Sequence, residues 1–154
     1  MKAKVRTCLL IKDKAEEAAR FYVSLIPGST LESTSRLAEG EPAFMASFTL
    51  AGTPYLAMNM GPRGSLTDAT SISVTTEDQE ETDRLWTALV ANGGAESRCG
   101  WLTDRYGLSW QIVPEALPRL LGDADRAAAG RSMQAMLKMA KIDIAALEAA
   151  FREA

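Results

Sequence analysis

The chain repeats itself. Glu16-Glu17-Ala18-Ala19-Arg20-Phe21-Tyr22-Val23-Ser24-Leu25-Ile26 returns 64 residues later as Glu80-Glu81-Thr82-Asp83-Arg84-Leu85-Trp86-Thr87-Ala88-Leu89-Val90. In each copy apolar residues fall at i, i+1, i+4 and i+5, one face of a helix. Acidic residues open each segment, where the helix dipole favours them. Pro27-Gly28 and Asn92-Gly93-Gly94 end them. The flanks repeat as well. Val5–Ile11 and Thr70–Thr75 read as strands before the helices. Ser29–Arg36, Phe44–Leu50 and Pro54–Met60 read as strands after the first, with Ala51-Gly52-Thr53 a tight connection. Ala95–Leu102 and Leu108–Val113 follow the second, joined by the turn Asp104-Arg105-Tyr106-Gly107. The expected class is therefore α+β. A first module spans 3–61 and a second 68–114, with 115–154 a helical tail, all in one compact domain. In the tail, Asp123–Met139 and Ile144–Arg152 read as helices, the second capped by Asp143. Gly40, Pro42, Gly61, Pro62 and Gly64 mark two flexible stretches.

Composition narrows the chemistry. The 154 residues carry 17 basic and 20 acidic side chains, a net charge of −3, and no histidine. Without imidazole there is no Ser-His-Asp triad, no Cys-His pair and no histidine-based zinc site. Acid–base work would fall to Asp, Glu, Lys, Tyr or a thiol. No basic excess suits a nucleic-acid backbone, and no apolar run suits a membrane span, so neither partner is expected. The apolar run Cys8-Leu9-Leu10-Ile11 meets Lys12-Asp13-Lys14 at once, unlike an export signal, and the expected location is the cytoplasm. Two cysteines, Cys8 and Cys99, are too few for a disulfide scaffold.

Three stretches resemble the PhnB-like branch of the vicinal oxygen chelate superfamily, which includes glyoxalase I, bleomycin-resistance proteins and extradiol dioxygenases. They are Lys14–Tyr22, Cys99–Pro114 with its Asp104-Arg105-Tyr106-Gly107 turn before Trp110-Gln111, and Met133–Met139 with Lys141–Ile144. The branch carries the label 3-demethylubiquinone-9 3-methyltransferase. The resemblance implies two βαβββ modules curled around a shared cavity, a glyoxalase-like fold, and a homodimer. In metal-using members four ligands line the cavity, one from the first and one from the last strand of each module. Carried over, those positions fall on Thr7, Ser71, Gln111 and a residue within Tyr55–Asn59, where Asn59 is the polar member besides Tyr55. This is a neutral set. Hard cations prefer carboxylates and softer ones nitrogen or sulfur, so no metal and no cofactor is expected. A methyltransferase would hold S-adenosylmethionine on a glycine-rich turn after its first strand, and the sequence has no such turn.

The expected function is metal-free binding of a small molecule. The alternative is an enzyme with an atypical site around Gln111, or one working through a carboxylate or tyrosine. The expected ligand-binding residues are Thr7, Asn59, Ser71, Trp101 and Gln111. Trp101 either walls the cavity for a planar ligand or packs in the core. Trp110 alternates with Gln111 and is expected to pack beneath the tail helices. Asp104 and Arg105 read as solvated turn residues, with a hold on a ligand carboxylate or a dimer contact as the alternative. Cys8 reads as a small core residue facing away from the cavity. Met133, Met136 and Met139 form a stripe that docks the tail on the domain or on a second subunit.

Overall fold

The computed structural model describes residues 3–61 and 66–153. Pro62 and Gly64 of the second predicted flexible stretch lie outside the described residues. The chain forms two compact units, Met1–Leu66 and Thr67–Ala154.

The first unit runs β1 (Thr7–Ile11), α1 (Ala15–Leu25), β2 (Thr30–Ser35), β3 (Met45–Leu50), β4 (Thr53–Asn59). The sheet order is β1-β4-β3-β2, with β1 parallel to β4. Ala15, Ala18, Ala19 and Tyr22 recur at helical spacing and are fully buried. They cover the sheet face that holds Leu9, Ile11, Ala46, Phe48 and Ala57, all buried. On that face Phe48 stacks on Tyr55 with centroids 5.6 Å apart, and Tyr22 meets Phe48 at 6.3 Å. Between β3 and β4, Ala51 (φ 46°) and Gly52 (φ 85°) are both left-handed. Paired positive φ values give the turn whose twist matches a two-residue hairpin, as the tight connection predicted.

The second unit runs β5 (Ser71–Thr76), α2 (Gln79–Val90), β6 (Ala95–Glu96), β7 (Trp101–Thr103), β8 (Ser109–Pro114), then α3 (Ala116–Leu121), α4 (Arg126–Met136) and α5 (Ile144–Arg152). The sheet order is β5-β8-β7-β6, again with the first strand parallel to the last. Asp78 caps α2 by accepting from Glu81 N at 2.8 Å. Leu85, Trp86 and Leu89 turn inward. Buried Thr76 and Thr82 share a hydroxyl hydrogen bond of 2.7 Å, which ties α2 to the face of β5 that holds Ile72.

Three sequence expectations change here. The run Ala95–Leu102 is not one strand. Cys99 (φ 56°) and Gly100 (φ 84°) turn the chain between β6 and β7. A Cβ on Gly100 would stand 2.9 Å from Ile112 O and 3.2 Å from Ile142 Cγ1, so the backbone approach there needs glycine. The predicted helix Asp123–Met139 is shorter at both ends. Asp125 caps α4 by accepting from Ala127 N and Ala128 N, and Asp123 accepts from Asp125 N in the preceding turn. Beyond α4, Met139 O and Ala140 O accept from Cys99 N and Gly100 N. The chain thus leaves the helix to pair with the turn. Finally, the sequence pattern does not predict α3, because Pro118 stands inside its six residues.

The tail has its own apolar cluster of Leu117, Leu120, Ile142 and Leu147, with Val113, Met136 and Met139 packed against it. Two of the three stripe methionines dock as expected, while Met133 stays 38 % exposed. Among the described residues no helix is long and apolar enough to cross a membrane.

Candidate ligand-binding face

The second unit has one sheet face covered by α2 and one left open except at Val113, which meets the tail cluster. Strand alternation puts Ile72, Val74, Thr76, Trp110, Ile112 and Pro114 on the α2 side. Ser71, Ser73, Thr75, Gln111 and Val113 fall on the other, with Trp101 and Thr103 from β7. Gln111 registers with Ser73 on one side and with Trp101 on the other. Gln111 Nε2 donates to Ser71 Oγ at 2.9 Å. Ser71, Gln111 and Trp101 are each half-buried. The structure therefore brings three of the five expected site residues together. Every side chain on this open face is uncharged.

The β7–β8 hairpin that carries Gln111 is held from inside. Asp104, predicted to be solvated, is buried. Its Oδ1 accepts from Tyr106 N at 2.8 Å and Leu108 N at 3.0 Å, and its Oδ2 accepts from Trp110 Nε1 at 2.8 Å. A carboxylate in a tight turn finds amides two and four residues ahead, and the indole supplies the third donor. Arg105 Nη2 reaches Ala88 O at 3.4 Å. Trp110 is fully buried as expected, but under a different cover. It shares the face of Ile72 and Thr76, which α2 covers, whereas the tail cluster takes Val113 from the opposite face.

In the first unit Thr7 and Asn59 do not meet. They stand at opposite ends of the β1–β4 ladder, Thr7 opposite Tyr55 and Asn59 opposite Ile11. Thr7 alternates onto the α1 side with Leu9 and Ile11, whereas Ser71 falls on the open side of its sheet. The physical reason is loop length. Three residues join β1 to α1, and two join β5 to α2. A one-residue slip moves a strand residue to the other face. Asn59 is occupied in the fold. Its Oδ1 accepts from Ala15 N at 2.7 Å at the start of α1, where Lys14 gives no side-chain cap, and its Nδ2 donates to Ala43 O at 3.4 Å.

The open face of the first sheet carries Cys8, Leu10, Met45, Ser47, Leu56 and Met58. Sequence reasoning missed this apolar set. The alternation of Met45, Ser47 and Thr49 against buried Ala46, Phe48 and Leu50 was the available signal. Cys8 is exposed, contrary to the expected core placement, because α1 covers Leu9 and Ile11 instead. What desolvation its thiol meets raises its pKa and favours the neutral form. Arg6, its side chain 14 % exposed, pairs with Glu32 and donates to Phe48 O and Tyr55 O, both at 3.3 Å.

As donors to a divalent ion these residues fit poorly. Ser71 and Gln111 offer neutral oxygens only, and Asn59 already spends its oxygen on α1. Among the described residues no three His, Cys, Asp or Glu side chains gather where they could hold a metal. A concavity of about 620 Å³ elsewhere in the second unit is rich in acids, including Asp78, Asp83, Asp143 and Glu148. These are committed. Asp78 and Asp143 cap helices, Glu148 pairs with Arg119, and Lys141 and then Gln79 hold the Asp83 carboxyl below its usual range.

The comparisons with known proteins agree with this architecture. The sequence model of the family described as 3-demethylubiquinone-9 3-methyltransferase matches residues 3–113. The solved structure of a PhnB protein from Bacillus cereus is 34 % identical, with a TM-score of 0.65 over 73 % of this chain and 99 % of that one. A fosfomycin resistance protein, FosX, from Mesorhizobium loti shares the fold at 12 % identity and a TM-score of 0.56, over 80 % and 99 % of the two chains. A glyoxalase/bleomycin resistance protein from Albidiferax ferrireducens does so at 13 % and 0.50, over 71 % and 96 %. No curated protein matches the chain. With the family model matched across both strand-helix-strand units, this chain belongs to the PhnB-like family described as 3-demethylubiquinone-9 3-methyltransferase, on the glyoxalase/bleomycin-resistance fold.

Proposed function

We propose that this chain is a small-molecule-binding protein that works without a metal, through the open face of the β5-β8-β7 sheet. The observation that carries this is the Gln111–Ser71 hydrogen bond beside Trp101, on a face without a charged side chain. An aromatic wall with a few fixed polar groups is the usual make-up of a ligand site. Neutral amide and hydroxyl groups orient a ligand by hydrogen bonds, yet give a divalent cation no charge to offset its own. Methyl transfer is not part of the proposal. The turn after β1 is Lys12-Asp13-Lys14 and that after β5 is Glu77-Asp78, neither of them a glycine-rich loop for a nucleotide-type cofactor. The proposal includes a cytoplasmic location and a homodimer. Both β1 and β2 are edge strands of their sheet, and open edges are commonly covered.

The test is native mass spectrometry of the purified protein, with a Gln111→Leu variant alongside. A co-purifying organic molecule that is retained by the parent and lost from the variant supports the proposal. Retention that is indifferent to Gln111 contradicts it.

A further inference from the structure

We infer that the molecule held at this face is an uncharged, planar carbonyl compound of the amide, lactone or aryl ketone type; the inference rests on the site proposed above and adds its ligand class. Hydrogen-bond accounting on the three adjacent residues leads there. Gln111 spends one N–H on Ser71 Oγ. Its Oε1 and second N–H have no partner among the described residues, nor does the Ser71 hydroxyl hydrogen or the Trp101 indole N–H. The patch therefore offers three free donors, with Gln111 Oε1 and the remaining lone pair of Ser71 Oγ as free acceptors. A ligand carbonyl oxygen takes the donors, and a ligand N–H or O–H can take Gln111 Oε1.

Charge decides between ligands of the same shape. A carboxylate would meet the donors but also the Gln111 carbonyl dipole. No cation on the face repays its desolvation. An ammonium ion would meet the same three donors, and no carboxylate on the face offsets its charge. A neutral amide satisfies both kinds of group at once. The Trp101 ring, in register with Gln111, supplies a surface for a planar body. Ser73 and Thr103 extend the polar row on the flanking strands without adding charge.

The probes are benzamide, benzoate and benzylammonium, three one-ring molecules that differ mainly in charge. They are titrated at neutral pH into the full-length protein with ¹⁵N labelling, and the Gln111 side-chain amide, Ser71 amide and Trp101 indole signals are followed by NMR. The expected result is that benzamide shifts these signals with a Kd at least tenfold below that of benzoate or benzylammonium. Gln111→Leu should weaken benzamide at least fivefold. Gln111→Glu, which retains the size of the side chain, should move the preference toward benzylammonium. Should benzoate bind as tightly as benzamide, the neutral-ligand inference is overturned while the face stands as a site. If none of the three moves these signals, the proposed site itself falls, and the inference with it.

Discussion

Two side chains whose sequence positions look unremarkable hold the local geometry. Asp104 sits in a turn, yet three donors converge on its buried carboxylate. Asp104→Ala leaves Trp110 Nε1 and two backbone N–H groups without their acceptor. A buried donor left unpaired costs about 1–3 kcal/mol, so a loss of at least ~3 kcal/mol is expected in urea unfolding. Asp104→Asn retains one acceptor and should lose less. Asn59→Ala removes the group that caps α1 and should cost about 1 kcal/mol by the same measurement. Glu16 gives a pH prediction. Hydrogen bonding from Arg20 comes first, followed by the Ala43 N–H and the charge of Arg36, and together they lower its pKa from the ordinary 4.5. A carboxyl with a depressed folded value adds stability above its unfolded value and loses it as pH falls through the folded one. Stability of the parent should therefore fall from about pH 4.5 downward. Glu16→Gln should show a shallower decline over the same window. An unchanged slope would mean that these contacts contribute nothing in solution.

At the scale of elements, the turns carry the sharpest expectations. Ala51 holds a left-handed φ of 46° in the β3–β4 hairpin. Ala51→Asn creates the Asn-Gly pair favoured for this turn and should stabilise by about 0.5–1 kcal/mol in thermal unfolding. Gly100→Ala should do the opposite by about 2 kcal/mol or more, since its Cβ would press on Ile112 O and Ile142 at positive φ. The strand-helix-strand order was legible in the sequence because both amphipathic helices end at glycine or proline breakers and start at acidic turns. Which face each strand shows was not legible in the first unit. Cys8-Leu9-Leu10-Ile11 is apolar throughout, so no alternation marks the side that α1 covers. In the second unit Ser71-Ile72-Ser73-Val74 does alternate, and Ser71, expected in the site only from the family resemblance, stands beside Gln111. Asp104 was missed for another reason. A turn carboxylate is ordinarily solvated, and only the Trp110 indole six residues on reveals that this one is inside.

At the scale of the molecule, the family fold is followed by a packed helical tail. The family model ends at residue 113, and three helices follow; Leu117, Leu120 and Leu147 from them and Ile142 from the connection before α5 form the cluster on which Val113 packs. Ile142→Ala should cost about 2–5 kcal/mol, because the side chain is fully buried at the centre of that packing. The edge strands of each sheet lead to the proposed homodimer, and light scattering at micromolar concentration should give twice the chain mass of 16.6 kDa. The proposed function is binding of an organic ligand on a face of neutral donors, without a metal. Zinc, nickel and manganese titrations of metal-stripped protein, followed by calorimetry, test it. The prediction is no stoichiometric binding and no rise in Tm, since only a species that binds the folded state shifts unfolding. As a positive control, Ser71→His with Gln111→Glu should create zinc affinity at the same place. One tightly bound equivalent of metal on the parent protein, lost in Gln111→Leu, would overturn the metal-free proposal.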